Sequence, residues 1–258
     1  MTTFTKTKPA GTPTWFDLMT TDLAKAKDFY AKLFGWTYLD SGPEFGNYAI
    51  AQLKGHTVAG IGPMPPGQTM PSVWSVYLAT DDIKADGEKI KKLGGKLMME
   101  PMQIAEQGSM AMAVDPTGAV FGLWQGGLNI GAAIAAEPGS MAWQEVITRD
   151  AVKARDFYSA LYGFTWEQMP GMEYYVLNRG TENMAGVMQM DKTWPAEMPP
   201  FWSAYFSVAS ADDTAKLVTK LGGQVRAEPF DSPYGRIAVL VDPFGATFTV
   251  VDMSKVQQ

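Results

Sequence analysis

AKDFYAKLFGWT at Ala26–Thr37 returns as ARDFYSALYGFT at Ala154–Thr165, 128 positions further on. The match extends well beyond these blocks. Trp15 pairs with Trp143, Asp22 with Asp150, Trp74 with Trp202, Tyr77 with Tyr205, and Gly94-Gly95 with Gly222-Gly223. Glu100-Pro101 pairs with Glu228-Pro229, and the turn Asp115-Pro116-Thr117-Gly118 with Asp242-Pro243-Phe244-Gly245. The offset drifts by only one or two residues at loops, so the chain is a tandem of two homologous modules.

Within the first module, Thr14–Thr21 suits a strand, and Asp22 offers a side-chain oxygen to cap the helix that follows. Leu23, Ala26, Phe29, Tyr30, Leu33 and Phe34 recur at helical spacing, and Gly35 ends the helix. Tyr30 and its repeat partner Tyr158 belong to this apolar stripe and are expected in the core. Short extended runs at Trp36–Leu39, Tyr48–Leu53 and Val58–Ile61 complete a β-α-β-β-β unit. The same order recurs within the module: strand Val73–Thr80, helix Asp82–Leu93, then Lys96–Met99, Met110–Val114 and Ala119–Trp124. The second half repeats both units. The expected fold class is therefore α+β, with residues 1–12 a flexible N-terminal tail, 13–125 the first module, 126–140 a linker and 141–253 the second. The linker is rich in Gly, Ala and Pro, with a short strand placed at Leu128–Ile134.

Composition narrows the function. A chain of 258 residues, 46% hydrophobic and 19% charged, can bury a core in each half. No apolar run reaches the roughly 18 residues of a membrane span, and the opening MTTFTKTKPAGTPT lacks the apolar stretch of a secretory signal. The expectation is a soluble, cytoplasmic protein, monomeric or homodimeric, with no membrane partner. Zero cysteines exclude disulfides, thiolate metal ligands and Cys nucleophiles, while a net charge of −6 with no basic cluster argues against nucleic acid. The phosphate-loop, nucleophile-elbow and dinucleotide fingerprints are absent from the sequence.

The D-x-x-x-A-x-x-F-Y-x-x-x-x-G helix, the Leu-Gly-Gly helix end and the late D-P-x-G turn, present in both halves, resemble the vicinal oxygen chelate superfamily. That group includes glyoxalase I, bleomycin-resistance proteins and extradiol dioxygenases. The tandem arrangement, opened by Trp-x-Asp-Leu in one half and Trp-x-Glu-Val in the other, looks like its two-domain glyoxalase-like branch. The resemblance implies a cupped sheet around a ligand cavity in each module, with the two modules packed face to face.

In metal-bearing relatives His, Gln or Glu occupies fixed positions on the inward-facing strands. Here those positions fall on Trp15 and Trp143, Ser75 and Ser203, and Gly122 and Thr249; the remaining one falls in Val58–Met70 or Met184–Met190, where Gln68 and Gln189 are the candidates. Tryptophan and glycine side chains supply no ligand to a divalent ion. The lone His56, in the turn after Lys54-Gly55, is expected at the surface. No metal and no other cofactor is expected.

Strand parity instead brings Trp15, Asp17 and Met19 to the first cavity and Trp143, Glu145 and Ile147 to the second. Ser75, Tyr77, Gly122 and Trp124 join the first; Ser203, Tyr205, Thr247 and Thr249 join the second. An aromatic wall with one carboxylate and a few hydroxyls suits a flat organic ligand. The expected function is thus metal-free binding of a small aromatic or antibiotic-like molecule. Two alternatives remain: a metal-independent lyase, isomerase or hydroxylase-type enzyme with Asp17 or Glu145 as general base, and a structural protein whose cavities are plugged by tryptophan. Arg149, Arg179 and Arg236 could pair with Glu145 or an acidic ligand, although surface positions are the commoner fate of arginine. The seventeen methionines suit adaptable packing.

Overall fold

Each half of the chain builds its own mixed sheet, and the order of strands is the same in both. The computed structural model describes residues 2–65, 67 and 70–255. In the first module the sheet runs Thr37–Asp40, Ala49–Leu53, His56–Pro63, Pro13–Thr20, Val73–Ala79, Val120–Gly126, Gly108–Val114, Lys96–Ile104. In the second it runs Thr165–Gln168, Tyr174–Arg179, Glu182–Gln189, Met141–Thr148, Phe201–Ser207, Thr247–Asp252, Gly235–Val241, Gln224–Ser232. The opening strand of each module pairs antiparallel with the opening strand of its second β-α-β-β-β unit, so two units share one continuous sheet.

Among the described residues four α-helices decorate these sheets: α1 (Leu23–Phe34), α2 (Ile83–Lys92), α3 (Ala151–Tyr162) and α4 (Ala211–Lys220). Asp22 and Asp150 cap α1 and α3 by accepting from the backbone N–H of Lys25 and Lys153, satisfying donors the helix cannot. Gly35 and Gly163 end those helices in the left-handed conformation, at φ 74° and 72°, where a side chain would be strained.

The modules meet through the face of each sheet that carries Phe16, Trp74, Phe121, Trp202, Phe206 and Phe248. Helix α1 lies against the other module: Phe34 packs on Phe206 at 5.1 Å between ring centroids, and Tyr30 on Phe248 at 5.8 Å. Helix α3 returns the arrangement, with Tyr158 on Phe121 at 5.5 Å. Polar chains run through this apolar interface. The Trp74 indole N–H donates to the Tyr30 hydroxyl, which donates to Asp242 of the second module's D-P-x-G turn, each at 2.9 Å. The Trp202 indole donates to Tyr158, and Tyr158 to Asp115 of the first module, again at 2.9 Å. The second oxygen of each aspartate holds its own turn by accepting backbone N–H groups.

Two expectations about the connecting segments need correction. Residues before the first module are not loose: Thr2–Thr3 pairs with Ile134–Ala135, the Phe4 N–H donates to the Ala133 carbonyl, and Gly11 N–H donates to the Ala79 carbonyl. Arg179 reaches back from the second module to the Ala10 carbonyl and the Thr12 hydroxyl. The strand placed at Leu128–Ile134 is only the pair Ile134–Ala135; the residues before it spend their hydrogen bonds on the Glu106–Gln107 turn and on Thr14. The linker is further pinned by the Trp36 indole on the Gly139 carbonyl and by the Lys54–Glu137 ion pair.

Replacing Tyr30 with Phe leaves the Trp74 N–H and one Asp242 oxygen unpaired in the interior. It is expected to lower unfolding stability by about 1–3 kcal/mol, and Tyr158→Phe by a similar amount, in urea titrations that retain one cooperative transition. A loss below experimental error for both variants would show that the chains do not hold the modules together.

Candidate functional site

Parity along the opening strands puts Phe16 and Leu18 into the inter-module core, leaving Trp15, Asp17 and Met19 on the concave face. In the ladder Trp15 lies opposite Tyr77, Asp17 opposite Ser75 and beside Gly60, Met19 beside Gly62. Tyr77 in turn adjoins Gly122 on the parallel neighbour. In the second module Trp143 lies opposite Tyr205, Glu145 opposite Ser203 and beside Gly186, and Tyr205 adjoins Thr249.

Each carboxylate is buried, Asp17 at 5% exposure and Glu145 at 4%. Neither touches its tryptophan directly. A tyrosine that the sequence reading missed lies between them. The Trp15 indole donates to the Tyr48 hydroxyl at 2.9 Å, and the Tyr48 hydroxyl lies near Asp17. Tyr77 donates to Asp17 Oδ2 at 3.1 Å. The second module repeats the chain: Trp143 donates to Tyr174 at 3.0 Å, and Tyr174 and Tyr205 both serve Glu145, the latter at 2.6 Å. Tyr48 and Tyr174 stand 126 residues apart at corresponding strand starts. The repeat that paired the other site residues also carried this signal.

Glycine makes room for the linking tyrosines. A methyl carbon on Gly60 would fall 1.6 Å from the Tyr48 hydroxyl oxygen, and one on Gly186 would fall 2.0 Å from that of Tyr174. Gly122 plays the same part for Tyr77, whose ring would meet a Cβ at 2.1 Å.

Burial raises the pKa of Asp17 to about 6, partly opposed by the hydrogen bonds from Tyr48 and Tyr77. Glu145 is raised for the same reason and partly restored by Tyr205 and Tyr174. Burial also pushes all four tyrosine hydroxyls up, so they remain proton donors at neutral pH.

The two sites differ in one respect. Asp17 Oδ1 is buried without a hydrogen-bond partner, whereas no oxygen of Glu145 is left so. Aspartate is one methylene shorter than glutamate. The second module also fills its wall further, since the Ser203 and Thr249 hydroxyls bond each other at 3.2 Å where the first module has Ser75 and Gly122. An unpaired buried carboxylate oxygen is an acceptor waiting for a donor.

Other candidates separate from this core. Ser75 and Thr247 are half-buried on the expected faces and have no side-chain hydrogen bonds. Trp124 is held under the linker by its indole N–H on the Asn129 carbonyl at 2.8 Å and lines a cavity with Lys8, Thr80 and Gln125. None of the three arginines reaches Glu145. Arg149 bonds the Pro195 carbonyl, Arg179 the N-terminal segment, and Arg236 the carboxylates of Asp212 and Asp231. His56 is half-buried as the first residue of its strand.

The donor set does not fit a divalent metal. The positions that bear ligands in metal-bearing relatives hold two tryptophans, a glycine and three hydroxyl side chains. Gln189 is consumed in capping, accepting from the Ala151 N–H and donating to the Arg149 carbonyl; Gln68 lies outside the described residues. Among the described residues no three His, Cys, Asp or Glu side chains cluster, and no helix is long and apolar enough to cross a membrane.

With this geometry in view, comparison with known proteins gives a consistent result. A 2,3-dioxygenase, LapB, from Pseudomonas sp. KL28 shares the fold at a TM-score of 0.66 and 12% identity, covering 94% of this chain and 93% of that one. The Mn(II)-bound glyoxalase from Novosphingobium aromaticivorans does so at 0.66 and 16%, covering 96% and 86%. Nearer in sequence is CFP32 of Mycobacterium bovis, provisionally named a glyoxylase, 44% identical over 93% of this chain and 94% of its own. The anthracycline biosynthesis protein DnrV of Streptomyces peucetius is 38% identical over 94% of each chain. The sequence profile of the Glyoxalase/Bleomycin resistance protein/Dioxygenase superfamily matches residues 12–123 and again 140–250, so both modules of this chain belong to that superfamily.

Proposed function

We propose that the chain binds a small, flat, hydroxylated aromatic molecule on the concave face of its first module without a metal, using Asp17 Oδ1 as the acceptor for a ligand hydroxyl. The observation that carries this reading is that buried oxygen, unpaired beside the rings of Tyr48, Tyr77 and Trp15. A small ligand entering the site would supply the missing donor and stack on the aromatic wall. The whole-length likeness to an anthracycline biosynthesis protein supports an aromatic ligand of antibiotic type. The second module, where the Ser203 and Thr249 hydroxyls bond each other and no carboxylate oxygen is both fully buried and unpaired, serves mainly as the partner against which the first is built.

One observation favours catalysis as a second reading. A carboxyl group with a pKa near 6 is largely ionised at neutral pH yet holds a proton readily, which suits a general base. Asp17 would then take a proton from the bound hydroxyl or an adjacent carbon, with Tyr48 and Tyr77 stabilising the charge left behind. Glu145 is the corresponding base of the second module.

Native mass spectrometry of untagged protein is expected to show no stoichiometric divalent metal; one ion per chain or per module would overturn the metal-free reading. Titration with 2-naphthol, followed by tryptophan fluorescence, is expected to give saturable binding that Asp17→Asn weakens about tenfold and Glu145→Gln leaves within about twofold, a tenfold factor being 1.4 kcal/mol. Equal effects of the two variants would refute the assignment to the first module. If the site is catalytic, Asp17→Asn loses turnover while substrate affinity is retained.

The pH dependence of stability offers a separate check. Asp17 is raised in the folded state, so the native protein binds more protons than the unfolded chain between about pH 4 and 6. Stability contributed by this residue is therefore full below pH 4, falls as pH rises through 6, and stays lost above it. Asp17→Asn, which carries no charge, is expected to gain up to about 3 kcal/mol relative to wild type at pH 8 and little at pH 4, as measured by urea unfolding. A difference independent of pH would mean that Asp17 is not desolvated.

A further inference from the structure

A second buried ionisable group lies outside both carboxylate sites. Lys8, in the segment leading into the first module, is only 7% exposed. Its ammonium donates to the carbonyls of Ala132 at 3.1 Å and Thr14 at 3.4 Å, and lies 4.4 Å from the centre of the Phe4 ring. All three partners are neutral. None of the ion pairs among the described residues includes Lys8. A buried ammonium is stable only when its lost hydration is replaced, and two carbonyl dipoles with a ring face do so incompletely. The strain registers as a pKa lowered by burial to about 8, which leaves the group mostly charged at neutral pH.

This lysine lines a cavity of about 200 Å³ whose walls include Thr14, Thr80, Trp124 and Gln125. The Thr80 hydroxyl is buried and turned to the neighbouring Asp86 carboxyl, the two standing too far out of line for a well-formed hydrogen bond. The Gln125 carbonyl is taken by the Ile83 N–H at the start of α2, which leaves its amide N–H groups as donors. Asp81 stands exposed at the rim. This half-open volume is below the roughly 300 Å³ at which pockets begin to hold drug-sized ligands.

We propose that this cavity binds a small organic monocarboxylate, its anionic end paired with Lys8 and its apolar body against Trp124. A carboxylate supplies the counter-charge that the protein withholds, and its remaining lone pairs accept from the hydroxyl and amide donors around it. The aspartate at the rim disfavours a second negative charge on the ligand. The site stands apart from the Asp17 group, which has no cation and selects a donor rather than an anion.

The test uses the full chain, acetate and benzoate as probes, and acetamide and benzamide as their neutral counterparts. Calorimetry at pH 7 is expected to show saturable binding of at least one carboxylate, with its amide at least tenfold weaker. Lys8→Gln removes the charge while keeping a donor for the Ala132 carbonyl, and is expected to cost tenfold or more in carboxylate affinity. Should that variant fail to fold, the wild-type protein still decides the matter, because carboxylate affinity must fall between pH 7 and 9.5 as Lys8 loses its proton. Equal affinity for acid and amide, no binding of either acid, an unaltered Lys8→Gln variant, or affinity constant with pH would overturn the proposal.

Discussion

The reciprocal pairing of a helix tyrosine in one module with a turn aspartate in the other organises the molecule. Tyr30 and Asp242, and Tyr158 and Asp115, are buried polar contacts set among the aromatic rings of the interface. Each aspartate spends one oxygen on its own turn and the other on the opposite helix, so a turn fixed within one module presents an acceptor to the other. Burial raises the carboxyl group of Asp242, as expected for a charge removed from water and held by hydrogen bonds alone. Hydrophobic packing alone would tolerate sliding between the two sheets; a hydrogen-bonded chain buried among rings does not, because any shift leaves polar atoms unpaired.

That fixed interface dictates which face of each sheet is free. Phe16 and Phe206 are committed to the interior between modules, so their neighbours Trp15, Asp17 and Tyr205 lie on the opposite face of each sheet. The same alternation that builds the core therefore delivers a carboxylate to each concave face. Holding it there unpaired with any cation requires donors, and these come from two tyrosines per module. Tyr48, Tyr77 and Tyr174 fit only because the strands beneath them carry glycine at Gly60, Gly122 and Gly186, while Tyr205 lies beside Thr249.

The fold was legible because it was written twice: every helix cap, turn and strand of one half could be checked against the other. Boundaries moved by a residue or two, and Lys96–Ile104 proved longer than its apolar stretch because the edge strand continues through exposed residues, where the hydrophobic pattern carries no signal. Of the site, alternation found the carboxylates, Tyr77 and Tyr205. It placed with them Trp124, whose indole is held on the Asn129 carbonyl by a linker loop that periodicity does not describe, and it gave no site role to Tyr48, read only as the start of an extended run, or to Tyr174, the first residue of its strand. The N-terminal segment was taken for a tail because its polar, Pro-containing sequence resembles one. Its order comes from tertiary hydrogen bonds to Ala79, Ala133 and Arg179 that no local pattern announces.

Joining two copies in one polypeptide has a consequence for how such a site can change. In a dimer of identical subunits any substitution alters both cups at once, so a gain in one is tied to its effect in the other. Covalent fusion removes that tie while the reciprocal tyrosine–aspartate contacts keep the architecture. Aspartate in one cup and glutamate in the other, glycine facing threonine, are differences that only a fused pair can hold: one half is free to drift toward new chemistry while its twin preserves the scaffold.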